Sequence, residues 1–225
     1  QLVKGRDDLR QDAVVEQVFR LVNRMLKDTD PLRCYRVVPL HQRAGVLEWV
    51  ADAVPIGDYL HGAHSRYGGG GWTLSHCRQV ARLESERPGS TLQSKLTLFT
   101  DIQSHLQPVF HHFFLERFHT PSAWLKARSN YSTSCATSSM MGYIIGLGDR
   151  HCQNILIDCR SGHLCHIDLN MIFEQGRTLR VPERVPFRLT REVVAAMGCG
   201  GVEHGFRSSA VGFLTQIRQH ADNVL

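Results

Sequence analysis

Two short apolar segments in the second half of the chain are separated by the four-residue turn Cys-Arg-Ser-Gly. The first begins at Ile155 and the second ends at Asp168. Apolar runs of this length on either side of a Gly-containing turn predict a β-hairpin. If Ile155 pairs with Ile167, then Asn154 and Asp168 lie opposite each other, with Cα atoms about 5 Å apart. The pattern therefore predicts an amide oxygen and a carboxylate at one end of a hairpin.

This pair of side chains suggests a magnesium site. Proteins hold Mg²⁺ beside a nucleotide with carboxylate and amide oxygens, and water and phosphate oxygens complete the ligand set. Asp149 precedes Asn154 by five residues, the interval between the proton-accepting Asp and the metal-binding Asn of a kinase catalytic loop. Asp149 or Asp168 alone would be read as an ordinary turn residue. The joint spacing favours phosphoryl transfer, although the order here is Asp-Arg-His and not His-Arg-Asp.

The start of the chain offers a cation for the phosphates. Lys4 is followed by Gly-Arg-Asp-Asp-Leu-Arg-Gln-Asp, and apolar residues spaced three and four apart predict an amphipathic helix over residues 8–26. In kinases, an acid on the following helix holds the phosphate-contacting lysine in place. We therefore expect Asp12, and secondarily Glu16, to bind the ammonium group of Lys4.

The remaining patterns predict a small sheet followed by helices. Strands are expected over residues 34–40 and 44–50, and a flexible loop over residues 62–71, where four glycines lack the context of a phosphate cradle. From there to residue 147 the pattern is helical, with Pro121 in a first turn after Thr120. The fold class expected is α+β, with a mostly helical second half.

Composition excludes several classes of protein. The chain has 225 residues, of which 42% are hydrophobic and 21% charged, a balance that is not typical of disordered chains. No apolar run approaches the ~20 residues that span a bilayer. The net charge of +5 is dispersed, so it predicts no nucleic-acid site. The seven cysteines form no C-x-x-C pair, which favours a reducing, intracellular compartment.

Several segments together resemble a known family. K-G-R-D-D-L-R-Q-D, G-L-G-D-R-H-C-Q-N-I-L-I and H-I-D-L resemble the kinase domain of the phosphatidylinositol 3-kinase-related protein kinases, and V-P-I-G-D-Y-L and V-P-F-R-L-T-R extend the similarity to about residue 207. The resemblance implies a bilobal protein-kinase-like domain of the PI3/PI4-kinase type. Residues 1–50 would belong to the N-lobe and residues 51–225 to the C-lobe, with the catalytic loop at 146–155 and the activation loop at 168–190.

The resemblance also implies a role for each matching residue. The residues expected to contact ATP are Lys4, Asp12, Tyr35, Glu48, Trp49 and Val50. Asp149 would be the catalytic base, and His151 beside it would stabilise the transferring phosphoryl group. Asn154 and Asp168 would bind Mg²⁺. Aromatic residues pack in a core more often than they bind a ligand, so the roles of Tyr35 and Trp49 depend on the resemblance.

The function implied is that of a Ser/Thr protein kinase in DNA damage signalling, which phosphorylates Ser or Thr followed by Gln. A nuclear location, a DNA double-strand-break sensor complex as partner, and a homodimer of the full-length protein follow from the same resemblance. Two alternatives stay open, a phosphoinositide lipid kinase and a catalytically weakened scaffold. A loop that serves an anionic headgroup would carry clustered cations, whereas Arg177, Arg180 and Arg184 are dispersed among Glu174 and Glu183.

Two departures from the family pattern lead to further expectations. The family usually has glycine two residues after the metal-binding Asp, where this chain has Asn170. We expect a positive φ there, which asparagine tolerates better than other side chains. No glycine-rich strand pair precedes Lys4, so the chain is expected to be a fragment with an incomplete N-lobe.

Overall fold

Two small antiparallel sheets and a set of helices make up the computed structural model, which describes residues 1–26, 32–69 and 71–220. The first sheet has the order β1-β3-β2, with β1 at Leu2–Gly5, β2 at Val37–His41 and β3 at Ala44–Leu47. Lys4 on β1 lies opposite Gly45 on β3. Helices mixed with antiparallel sheets confirm the α+β prediction.

Strand β2 begins later than predicted, at Val37, and β3 ends earlier than predicted, at Leu47. Residues 34–36 lie outside β2 because the backbone of Tyr35 binds helix side chains and not a neighbouring strand. Its N–H donates to Glu16 at 3.0 Å, and its carbonyl accepts from Arg20 at 2.5 Å. Residues 48–52 connect this sheet to the next. The predicted division between lobes at residue 50 falls in this connection and stays a prediction.

Helix α1 spans Arg10–Met25, which confirms the helix predicted from the apolar spacing. Its apolar stripe is buried, and Glu16 is buried on the same helix. One carboxylate oxygen of Glu16 accepts the Tyr35 N–H, and the Arg20 guanidinium lies 3.6 Å away. Burial outweighs these contacts and raises the pKa of Glu16 to about 7.

The predicted hairpin forms, but its register differs from the prediction by one residue. The second sheet has the order β4-β5-β6, with β4 at Ala53–Pro55, β5 at Ile155–Asp158 and β6 at Leu164–His166. Ile155 pairs with His166 and not with Ile167, so Asn154 is not directly opposite Asp168.

The turn explains this register. The carboxylate of Asp158 accepts the backbone N–H groups of Arg160 and Ser161 at 2.8 and 2.7 Å, and Gly162 takes a φ of 79°. The Asp158 N–H donates to the carbonyl of His163 at 2.9 Å. The turn therefore contains four residues, between Asp158 and His163. Each residue of β5 consequently pairs with a residue one position earlier than predicted.

Helices and the loops between them form the rest of the described chain. The helices after β4 are α2 at Ile56–Tyr67, α3 at Leu74–Glu86, α4 at Leu92–His105, α5 at His112–Arg117, α6 at Pro121–Ile145, α7 at Arg191–Ala196 and α8 at Gly205–Gln219. The loop predicted for residues 62–71 is wrong over its first six residues, which belong to α2, because Leu60 and Ala63 bury an apolar face there. Gly70 lies outside the described residues. None of the helices in these ranges is both long and apolar enough to cross a membrane.

Helix α6 is the centre of the helical core. As predicted, it begins at Pro121, and the side chain of Thr120 accepts the N–H of Ala123 at 3.3 Å. It ends at Ile145 and is followed by Gly146, whose φ of 60° suits glycine. An aromatic cluster packs beside it, in which Phe110 contacts Tyr59, Phe113, Phe114 and Tyr131 with ring centroids 5.6 to 6.5 Å apart.

We predict that Phe110→Ala lowers the free energy of unfolding by about 3 to 5 kcal/mol, because it leaves a cavity where four rings meet. Phe110 is 0% exposed, whereas Phe99 on α4 is 56% exposed. Phe99→Ala is therefore the matched control, with an expected change below about 0.5 kcal/mol. Urea unfolding monitored by circular dichroism measures both values. Equal losses in the two variants would contradict this description of the core.

We also predict that Glu16 makes the protein less stable as pH rises from about 4.5 to about 7. Its pKa is 4.5 when exposed and about 7 in the folded protein, so in this range the folded state retains a proton that the unfolded state releases. At ~1.4 kcal/mol per pH unit, the loss amounts to about 3 kcal/mol. Glu16→Gln should remove this dependence, as measured by denaturation at pH 5 and pH 8. Exposed Glu203, paired with Arg207, is the control position, and Glu203→Gln should retain the full dependence.

Candidate active site

A cavity of about 230 Å³ opens between the two sheets. Apolar side chains from both sheets form its walls, among them Leu47, Leu156 and Ile167. All eight residues predicted to contact nucleotide or metal line this one cavity: Lys4, Asp12, Tyr35, Glu48, Trp49, Val50, Asn154 and Asp168. Residues separated by up to 164 positions are thus brought together, because β1, β3 and the hairpin converge there.

Lys4 has a different ion-pair partner from the one predicted. Its ammonium group binds Asp7 at 3.0 Å, and not Asp12 or Glu16. Partial burial lowers the pKa of Lys4, but the hydrogen bond to Asp7 and the charges of Asp168 and Asp12 outweigh burial and raise it. The prediction was wrong because Asp7 lies in the turn directly after β1, closer to Lys4 than the helix positions.

Asp12 lies deep in the cavity and is buried. Its carboxylate accepts the backbone N–H of Leu169 at 2.9 Å, which ties α1 to the segment that follows the hairpin. Burial, reinforced by the charge of Asp168, raises the pKa of Asp12. Glu16 does not face Lys4, since its carboxylate binds Tyr35 and Arg20.

The residues predicted as the adenine-binding hinge connect the two sheets. The backbone N–H of Glu48 donates to Arg36 at 2.8 Å, and its carboxylate accepts the Arg36 N–H at 2.9 Å. Trp49 is 65% exposed, so the alternative of a core role is wrong for this ring. Tyr35 is buried, and its hydroxyl has no hydrogen-bond partner among the described residues.

Asp149 and His151 lie beside Asn154 on the loop before β5. The side-chain amide of Asn154 donates to the backbone carbonyl of Asp149 at 3.0 Å and lies 3.5 Å from its carboxylate. The His151 ring nitrogen Nε2 is 3.9 Å from the same carboxylate. Both predicted catalytic side chains are partly exposed, so an incoming hydroxyl group can reach them.

Arg150, between these two residues, was not predicted to have a role. It is buried, and its guanidinium donates to the carbonyls of Gly148 at 2.8 Å, Ile167 at 2.9 Å and Asp168 at 2.5 Å. It therefore joins the catalytic loop to the segment that carries the predicted metal ligand. Its position in Asp-Arg-His is visible in the sequence, but the carbonyls that it binds are not.

The backbone strain expected at Asn170 lies elsewhere. Asn170 does not have a positive φ, whereas Asp168 has a φ of 57° and Phe173 and Glu174 have 54° and 60°. Arg150 holds the carbonyl of Asp168, and the side chain of Gln11 donates to the carbonyl of Asn170 at 2.5 Å. The chain therefore turns at the predicted metal ligand itself, and glycine is not required at position 170.

The cavity suits a magnesium nucleotide. Apolar walls and an exposed indole match a base, an ammonium group matches phosphates, and the Asn154 and Asp168 oxygens match Mg²⁺. The part of the chain that the structure describes contains no cluster of three or more His, Cys, Asp or Glu that could hold a metal. Phosphate and water oxygens would therefore have to complete the ligand set.

Comparisons with known proteins agree with this geometry. The sequence model of the family described as phosphatidylinositol 3- and 4-kinase matches residues 1–225. The serine/threonine-protein kinase tel1 of Schizosaccharomyces pombe is 47% identical over 233 residues, and the serine-protein kinase ATM of Sus scrofa is 46% identical over 236. Each alignment covers 100% of this chain and 8% of the relative.

Solved structures show the same fold. The structure described as the FAT and kinase domain of CtTel1 superposes with a TM-score of 0.92 at 38% identity, covering 99% of this chain and 16% of that one. A complete CtTel1 dimer gives a TM-score of 0.91 over 98% of this chain and 8% of that one. The prediction of a PI3/PI4-kinase type fold is confirmed, and the chain belongs to the phosphatidylinositol 3- and 4-kinase family.

Proposed function

We propose that this chain is the catalytic domain of a Ser/Thr protein kinase that transfers the γ-phosphoryl group of ATP to a protein hydroxyl. The observation that carries the proposal is the convergence of all eight predicted nucleotide and metal residues on one cavity. Asp149 lies next to this cavity, and its backbone carbonyl accepts the side-chain amide of Asn154 at 3.0 Å. The relatives named as Ser/Thr protein kinases support it, since each aligns over the whole chain.

Each site residue has a different role in phosphoryl transfer. Lys4 binds phosphate oxygens, while Trp49 and the hinge backbone hold the base. Asp149 accepts the proton of the substrate hydroxyl as its oxygen bonds to the γ-phosphorus and the bond to the β-phosphate oxygen breaks, so that ADP leaves. His151 stabilises charge on the transferring group. Mg²⁺, held by Asn154 and Asp168, would neutralise phosphate charge when bound.

A protein substrate fits this site better than a lipid headgroup. On the predicted activation loop, Arg177 is paired with Glu174 at 2.9 Å, which leaves three dispersed cations, Arg180, Arg184 and Arg188, in place of a basic cluster. The predicted catalytic base, Asp149, and the predicted metal ligands, Asn154 and Asp168, are all present. Their presence disfavours a scaffold without activity. We extend the proposal to substrates with Ser or Thr followed by Gln.

The biological setting is proposed from the relatives. One of the superposed structures is described as a complete CtTel1 dimer, and we propose that the full-length protein is likewise a homodimer. A nuclear role in DNA damage signalling, in which a double-strand-break sensor complex is a partner, is proposed on the same basis. The chain itself spans 8% of the curated relatives' length, so these properties concern the whole protein.

We predict that Asp149→Asn in the full-length protein lowers kcat by roughly 10²- to 10⁴-fold, because it removes the proton acceptor. KM for ATP should change little, since Asp149 is outside the cavity walls. Phosphorylation of a Ser-Gln peptide and of phosphatidylinositol vesicles is measured in parallel, with Asp101→Asn on the exposed face of α4 as control. Turnover of the vesicles alone would indicate a lipid kinase, and turnover of neither would favour a scaffold.

A further prediction concerns the metal. Asp168→Asn should raise the Mg²⁺ concentration for half-maximal activity by at least about tenfold, because a neutral amide is a weaker ligand than a carboxylate. Initial rates are measured over a Mg²⁺ titration, again with Asp101→Asn as control. An unchanged Mg²⁺ dependence would remove Asp168 from the metal site.

A further inference from the structure

We propose that Glu183 is a positioning residue that locks the catalytic loop onto the activation loop, an inference that rests on the proposed function. Its carboxylate accepts two consecutive backbone N–H groups of the catalytic loop. Oε2 is 2.9 Å from the N–H of Asp149, and Oε1 is 3.3 Å from the N–H of Arg150. A single side chain, 33 and 34 positions away in sequence, thus holds the backbone of the predicted catalytic base.

The backbone that Glu183 binds is unusual. Asp149 has a φ of 58°, a left-handed conformation that side chains other than glycine rarely adopt. Such a conformation persists only where the surroundings hold it in place. The Glu183 carboxylate binds on the N–H side of Asp149, and Asn154 binds its carbonyl at 3.0 Å. Between them, they set the direction in which the Asp149 carboxylate points.

Two glycines make room for this contact. A Cβ atom on Gly148 would lie 2.8 Å from the Cα of Gly176 and 2.9 Å from Oε2 of Glu183. A Cβ atom on Gly176 would collide with the same oxygen. The backbone N–H of Glu183 also donates to the carbonyl of Gly176 at 3.1 Å. The close approach of these segments is therefore built around the Glu183 carboxylate.

The Glu183 carboxylate is held by backbone donors of the loop that carries Asp149. The charge of Glu183 also acts on the buried guanidinium of Arg150, and the two N–H donors form charge-assisted hydrogen bonds that a neutral side chain would weaken. Glu174, on the same loop, instead pairs with Arg177 at 2.9 Å and is exposed. The loop thus offers one glutamate whose side chain binds the predicted catalytic loop and one whose side chain does not.

This difference gives a matched test in the full-length protein. Glu183→Gln keeps the shape but replaces one acceptor oxygen with an amide NH2 group, which can only donate. We expect it to lower kcat for a Ser-Gln peptide about 10- to 100-fold, the effect of misplacing a catalytic group, and to change KM for ATP less than about twofold. Glu174→Gln should change neither value. Gly176→Ala, which crowds the carboxylate without removing it, should reproduce the kcat loss and provides a second route if Glu183→Gln does not fold.

A double-mutant cycle separates positioning from a general effect on folding. If Glu183 acts through Asp149, Glu183→Gln should have little further effect on the residual rate of Asp149→Asn. Full additivity of the two losses, or normal kcat in Glu183→Gln, would overturn the inference. An inactive wild-type protein would instead overturn the proposed kinase function, so the two failures can be told apart.

Discussion

The buried guanidinium of Arg150 is the interaction on which the predicted active site depends. It donates to the carbonyls of Gly148, Ile167 and Asp168 within 2.5 to 2.9 Å. A buried cation is costly unless its donors are satisfied, and the planar fork of arginine can bind several carbonyls at once. Because the carbonyls come from both sides of the hairpin, the catalytic loop and the predicted metal ligand cannot move independently.

The charge of Arg150 also acts on its neighbours. Burial and the nearby guanidinium lower the pKa of His166 to about 3, so this histidine is neutral at physiological pH. Glu183, on the predicted activation loop, provides a negative charge, and its carboxylate accepts the backbone N–H of Arg150 at 3.3 Å. The guanidinium binds the carbonyl of Gly148 and the carboxylate binds the N–H of Asp149, so both charged groups hold the backbone where Asp149 takes its left-handed conformation.

The cavity and the catalytic loop depend on different kinds of interaction. The cavity proposed to bind nucleotide is formed by apolar walls of two sheets and is also lined by Lys4 and Asp168. The catalytic side consists of a loop held by hydrogen bonds to carbonyls and to one carboxylate. Hydrophobic packing tolerates similar side chains, whereas a hydrogen-bonded loop needs particular atoms at particular distances. Substitutions in the loop should therefore affect turnover more than nucleotide binding.

The sequence alone determined the elements that depend on neighbouring residues. Helix α1 follows from apolar spacing, α6 begins at Pro121 after the Thr120 cap, and the hairpin follows from two apolar runs around a glycine turn. The family motifs added the eight residues that line the cavity. The predictions of α1, the start of α6 and the hairpin succeeded because capping, periodicity and turn preference act over a few residues.

Only the tertiary structure decided which distant groups meet. The hairpin register depends on Asp158 accepting two N–H groups inside the turn, and the partner of Lys4 is Asp7 because the turn after β1 brings it closest. The contacts of Arg150 and Glu183 are made to backbone atoms, which every residue possesses. A contact to a backbone atom does not depend on the type of residue that carries this atom. The sequence therefore did not indicate these contacts, and only the folded structure shows them.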